Sequence, residues 1–147
     1  MGKASAVVQS LHGLIGIESK ACENEIEKGA IVKFAQAIGD DNPLYQDEVA
    51  ARKSPKGGIT APPTFLRSLK ALPLEAESLV PYSRRLDGGS EWEYFEPVCP
   101  GDRIAVTISL KEVSERTGRL GEMLFFVRES RYVNQLGQLV ALQRSTL

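Results

Sequence analysis

Phe34-Ala35-Gln36-Ala37-Ile38-Gly39-Asp40-Asp41-Asn42-Pro43-Leu44-Tyr45-Gln46-Asp47 joins two acids, an amide and a phenol to unusually definite punctuation. Ile31, Phe34, Ala35 and Ile38 fall at i, i+3, i+4 and i+7, which predicts one apolar face of a helix starting near Lys28. Gly39 follows the last of them, where a left-handed C-terminal cap belongs. Pro43 then disfavours a helical conformation at Asn42, so Asp40 to Pro43 reads as a tight polar turn. Asp47 and Glu48 open a second short helix that Arg52 and Lys53 close, the sign order a helix dipole favours.

Upstream, residues 1–16 read as a loose or weakly helical lead-in, and Ile17 to Ile26 as a short strand. Downstream, Ser54 to Gly58 is a loop and Ile59-Thr60-Ala61 an extended piece held by Pro62. Pro63 suits the first position of a helix, where a missing N–H costs little. Phe65, Leu66, Leu69 and Leu72 then form an apolar face, and Pro73 ends it. Leu74 to Arg85 is a long connection. Beyond Leu86 the period falls to two. The predicted strands are Ser90 to Val98, Ile104 to Lys111, Met123 to Val133, and a last one beginning over Leu139 to Leu142. Pro100-Gly101-Asp102, Thr117 to Gly121 and Asn134 to Gly137 separate them, and this spacing predicts successive antiparallel neighbours. Helices followed by a run of strands make an α+β domain, with either Lys28–Ile38 or Pro63–Leu72 as its central helix.

The 147 residues suit one domain, 1–147, with a core that needs no disulfide or metal. Net charge is -1, so no global attraction to nucleic acid or anionic lipid is expected. Cys22, Cys99 and a lone His12 exclude a Cys-rich zinc site and a dense disulfide framework, and the default setting is reduced and cytoplasmic. No apolar run suits a secretory or membrane-spanning segment, and Gly2 with Ala6 misses the myristoylation pattern. No metal and no cofactor is expected.

The stretch Phe34 to Tyr45 resembles the hydratase motif of MaoC-like (R)-specific enoyl-CoA hydratases and hydroxyacyl dehydratases. Gly57-Gly58-Ile59-Thr60-Ala61-Pro62-Pro63-Thr64-Phe65-Leu66 is similar to the matching segment of that family's N-terminal dehydratase domain, and Pro97 to Asp102 also fits. The resemblance covers Ile26 to the C-terminus. It implies a hot-dog fold, a curled antiparallel sheet wrapped around a central helix, whose domains pair side by side around an acyl-thioester tunnel. The implied chemistry is syn addition of water across a trans-2-enoyl thioester, or its reverse. That needs a carboxylate and an imidazole on one water, and a backbone N–H on the thioester oxygen.

This chain departs from the pattern twice. Asp40 stands at the family's catalytic aspartate, but Tyr45 replaces the catalytic histidine, and a phenol is a poor base at neutral pH. Active members have His-Gly where this chain has Pro62-Pro63, and Pro63 has no N–H to give. The resemblance is therefore to the family's non-catalytic half-domain, which shapes the tunnel beside a catalytic partner. It implies Asp40 and Tyr45 at the catalytic positions, and Asn42, Gly58, Ile59 and Pro63 against the substrate. The implied partners are an acyl thioester of CoA or acyl carrier protein, and either a second copy or a catalytic MaoC-type subunit.

Plainer readings stand beside these. Asp40 and Asn42-Pro43 also serve as turn residues. Trp92, Tyr94 and Phe95 read as core or as dimer interface, and Arg84 and Arg85 as solvated or as CoA-phosphate ligands. A homodimer working through Asp40, or a non-enzymatic acyl-CoA-binding module, are the alternative functions.

Overall fold

The computed structural model describes residues 3–147, so Met1 and Gly2 lie outside the described residues. Five strands form one antiparallel sheet: β1 (Cys22–Glu25), β2 (Ser90–Tyr94), β3 (Arg103–Gly118), β4 (Gly121–Val133) and β5 (Leu139–Thr146). Their order is β1-β3-β4-β5-β2. β3, β4 and β5 are successive neighbours as expected, joined by tight turns. β2 departs from the expectation: it pairs with β5, not with the strand that follows it. The residues after β2 explain this. Phe95 and Glu96 both donate their N–H to Val140 O, and the chain then turns through Pro97 and Pro100 before β3. Prolines offer no N–H, so a two-stranded hairpin cannot continue there. The ladder shifts register between Leu110 and Glu112 and between Tyr132 and Val133. Such irregularities bend and twist long strands, which is how this sheet curls.

Of the two candidate central helices, α2 (Lys28–Ala37) is an α-helix and buries Ile31 and Ala35. Ile31 shares one cluster with Ile104, Val106, Tyr132, Val140 and Ala141 of the sheet, and Val32 and Phe34 of the same helix pack against it. The other candidate is shorter than its apolar spacing predicts: Pro63–Ser68 is a six-residue 3₁₀ helix, and Leu69 is already extended. Its Phe65 and Leu66 join the same cluster. Two things stop it there. The Lys70 N–H and carbonyl are taken by the Asn24 side chain at 2.8 and 2.9 Å, and Leu72 stays 40% exposed, so further helical turns would bury little. The short helices α3 (Pro43–Gln46) and α4 (Glu48–Arg52) are capped by Asn42 and Asp47.

The lead-in is not loose. Residues Lys3–His12 form α1, whose Leu11 is fully buried with Ile108, Leu110 and Phe126. Val7, Leu11 and Leu14 recur at helical spacing and dock on this second cluster, which is what orders the segment. A second unforeseen element is the 3₁₀ helix Glu75–Leu79, which buries Ala76.

On the face of the sheet that carries Glu91 and Glu93, the Glu129 side chain is only 6% exposed and bonds Arg144 at 3.0 Å and Lys111 at 3.5 Å. Burial pushes its carboxyl up, but the two cations outweigh burial and hold it below the usual range. A carboxyl lowered in the folded state adds stability above its unfolded pKa of about 4.3 and loses it as pH falls through the lower folded value. Glu129→Gln is therefore expected to lower the Tm at pH 7. The gap to wild type should close on acidification below about pH 4, as thermal melts across pH would show.

Candidate functional site

The polar turn is built as its sequence suggests. Gly39 adopts a φ of 71°, and nothing stands within 4 Å of an added Cβ there, so glycine is required by the backbone alone. The next N–H, of Asp40, returns to Ala35 O at 2.9 Å and closes α2. The Asp40 carboxylate accepts the Asn42 N–H at 3.0 Å, and the Asn42 side chain accepts the Leu44 N–H at 3.0 Å. Gln46 Nε2 donates to Asp40 O at 2.6 Å. Leu44 O accepts the Thr60 N–H at 3.1 Å, and Val98 O accepts that of Ala61 at 2.8 Å. These two bonds bring the three sequence motifs together: the turn, the Gly57–Leu66 segment and the Pro97–Asp102 turn.

A cavity of about 290 Å³ lies where they meet, lined by Leu44, Tyr45, Thr60–Pro63, Leu66 and Tyr94–Val98. Tyr45 and Pro63, the two departures from the hydratase pattern, thus line the same cavity. The other expected site residues do not line it. Asp40 and Asn42 hold the turn behind Tyr45, Ile59 is 5% exposed in the core cluster, and Gly58 follows the left-handed Gly57 in the loop. Burial, and then the Asp40 carboxylate, push the Tyr45 phenol above its ordinary value. Tyr45 is therefore a neutral hydroxyl at pH 7, able to donate a hydrogen bond and unsuited to take a proton. His12 sits in the last turn of α1, outside this cavity.

Trp92 packs on the core and stacks on Tyr132 at 5.6 Å and Tyr94 at 5.7 Å, whereas Tyr94 and Phe95 are 45% and 50% exposed beside the cavity. Cys22 and Cys99 are free, half-buried thiols, and burial foremost pushes that of Cys99 up. Among the described residues no group of three His, Cys, Asp or Glu could hold a metal, and no helix is long and apolar enough to cross a membrane.

Sequence reasoning missed a larger cavity of about 780 Å³ at the other end of β2. Its wall is mainly apolar, with Val80, Leu86, Leu120, Met123, Leu124, Phe125, Phe126 and Leu147. Arg84 and Arg85 also line it, and Glu77 there binds Arg128 at 2.6 Å and Arg85 at 3.9 Å. The sequence signal nearest it was the Arg84-Arg85 pair; the structure adds Leu86 and Leu120, 59% and 76% exposed beside it. Gly88 to Tyr94 separates the two cavities along the strand by roughly 20 Å, at the usual rise per residue.

Comparison with known proteins follows the geometry. Residues 13–143 match the family described as FAS1-like, dehydratase domain region. A UPF0336 protein of Streptomyces coelicolor is 36% identical over 99 residues, 64% of this chain and 66% of that one. One from Clavibacter michiganensis is 31% identical over 120 residues, 78% of each chain. A "Probable enoyl-CoA hydratase alpha subunit" of Thermomonospora curvata is 28% identical across 86% of this chain and 46% of its own length. The chain thus spans about half of that relative and just under two thirds of the Streptomyces one. Among solved structures, the ChsH1-ChsH2 complex from Mycobacterium tuberculosis superposes with a TM-score of 0.82 at 22% identity, covering 97% of this chain and 94% of that one. The C-terminally truncated HadBC (3R-hydroxyacyl-ACP dehydratase) complex from the same organism gives 0.74 at 22%, covering 91% and 96%. The MaoC-like dehydratase from Rhodospirillum rubrum gives 0.72 at 24%, covering 90% and 89%. At these identities the structural likeness is one of fold, and that fold is the hot-dog.

Proposed function

Since the chain belongs to the FAS1-like dehydratase domain family of MaoC-like hot-dog proteins, we propose that it is the tunnel-shaping half of an (R)-specific enoyl-thioester hydratase or 3-hydroxyacyl dehydratase. In this reading residues 1–147 act as one hot-dog domain, and a catalytic MaoC-type subunit supplies the aspartate and histidine that activate water. One observation carries the proposal: Tyr45 and Pro63 line the same small cavity, where water activation and the oxyanion N–H would be needed. A neutral phenol cannot act as the base, and proline cannot donate an N–H. Asp40, whose carboxylate accepts the Asn42 N–H, acts as a turn residue here.

What the chain offers instead is surface for the substrate. The thioester of a CoA or carrier-protein ester would meet Pro63 and the Tyr45 hydroxyl, with Asn42, Gly58 and Ile59 holding that wall in place. The acyl chain would run along β2 toward the large apolar cavity, a size within the roughly 300–1,000 Å³ of ordinary ligand sites.

The test is reconstitution. Co-purified with a MaoC-type subunit that carries the intact Asp and His, the chain is expected to support hydration of crotonyl-CoA and of a long-chain enoyl-CoA. Narrowing the large cavity with Leu124→Trp should slow the long ester selectively. A complex that hydrates both esters equally with and without this chain would refute the role.

A further inference from the structure

This inference rests on the reading of the chain as one half of a pair, and it concerns which halves can meet. The two edges of the sheet differ. At one edge, β1 is tied to the segment after the Pro63–Ser68 helix, the Asn24 side chain exchanging two hydrogen bonds with the Lys70 backbone. At the other edge is β2, which pairs with β5 on its inner side and ends the sheet. An open edge strand is a template for pairing. Beside it, exposed Tyr94 and Phe95 line the small cavity.

Side chains alternate across this strand. Trp92 points to the core, so Glu91 and Glu93 lie on the opposite face, both exposed. Glu91 is in register with Arg144 of β5, whose guanidinium is bonded to Glu129 at 3.0 Å and only secondarily feels the charges of Glu93 and Glu91, so one cation is shared among three acids. Consider β2 paired antiparallel with the β2 of a second copy, helices on the same side. A two-fold axis at Trp92 sets each Glu91 against the other copy's Glu93. An axis at residue 91 or 93 sets the acid against itself. Like charges directly opposite across strands oppose pairing, whereas opposite charges support it.

We propose that the β2 edge is specified for a hot-dog subunit of different sequence, with lysine or arginine on its facing strand opposite Glu91 and Glu93, and against a second copy of this chain. The acids thereby select the partner, while Tyr94 and Phe95 supply the apolar contact beside the cavity.

A charge-reversed copy, E91K/E93K, serves as the basic partner. Wild type alone, E91K/E93K alone and their equimolar mixture are compared by sedimentation at low and high salt. The mixture is expected to associate with a dissociation constant at least about tenfold below that of either protein alone. The difference should shrink as salt screens the pairs. E91Q/E93Q, which removes charge with little change of shape, should self-associate more than wild type and tests the idea if the lysine variant misfolds. A wild-type dimer as tight as the mixture and unchanged in E91Q/E93Q overturns the proposal, as does a mixture that stays monomeric. Turnover is a separate readout: hydration by the lone chain would defeat the half-domain reading whatever the edge does.

Discussion

Purified alone, the chain is expected to hydrate crotonyl-CoA at least about 10⁴-fold more slowly than a complete hydratase of this family. The size follows from what is absent. Positioned general acid–base catalysis contributes about 10²–10⁴ in rate, and one oxyanion donor about 10²–10³. In the proposed reading Tyr45 stands where the base is needed, and burial, then Asp40, push its phenol above its ordinary value and keep it protonated. In that reading Pro63, which lines the same cavity, stands where the N–H is needed. Because the two residues line one cavity and, in the proposed reading, both losses bear on one transition state, repairing either leaves the other. Tyr45→His is therefore expected to leave the lone chain inactive. The imidazole would face a carboxylate that already accepts the Asn42 N–H at 3.0 Å, and the thioester oxygen would still lack its donor. Absorbance of the enoyl thioester followed over time measures both. An enzyme-like rate from the unmodified chain, lost on Asp40→Ala, would establish the opposite reading, a homodimer working through Asp40.

The largest expected effect on stability is at Ile104. It is 0% exposed in β3, between β1 and β4, and packs in the cluster that Ile31 of α2 and Leu66 complete. Ile104→Ala removes buried methyl groups and leaves a cavity that a three-strand neighbourhood cannot collapse. Such changes cost about 2–5 kcal/mol, a large share of the about 5–15 kcal/mol that holds a domain together. At about 2–4 °C per kcal/mol for a chain of this size, the Tm should fall by roughly 10 °C. Leu120→Ala is the control: Leu120 is 76% exposed in the β3–β4 turn, and its loss should stay within about 0.5 kcal/mol. Denaturant titration of both variants, with unchanged slope, would confirm that the difference lies in packing.

The chain's own sequence determined what is local. Gly39 must stop α2, Asn42 and Asp47 must cap the turns after it, and period-two runs must be strands, because each rests on backbone sterics or on neighbours a few residues away. The resemblance carried by three ordered motifs gave the fold family and the two departures, Tyr45 and Pro63. Where tertiary context competes with pattern, the local signal failed. Phe65, Leu66, Leu69 and Leu72 are spaced for a helix, yet the Asn24 side chain, 46 residues away in sequence, takes both backbone groups of Lys70 and ends it. Val7, Leu11 and Leu14 carried a helical signal too weak to read until β3 and β4 supplied a surface to bury them.

The candidate site divides the same way. Which residues replace the histidine and the glycine is a property of the chain. That they line one cavity, that the Asp40 carboxylate accepts the Asn42 N–H, and that a larger apolar cavity opens at the far end of β2 are seen only in the folded chain. β2 lies against β5 at the sheet's edge, which sets Glu91 and Glu93 outward and leaves Tyr94 and Phe95 uncovered. Contacts made over such sequence distances depend on how the whole core closes, and no window of residues contains that information.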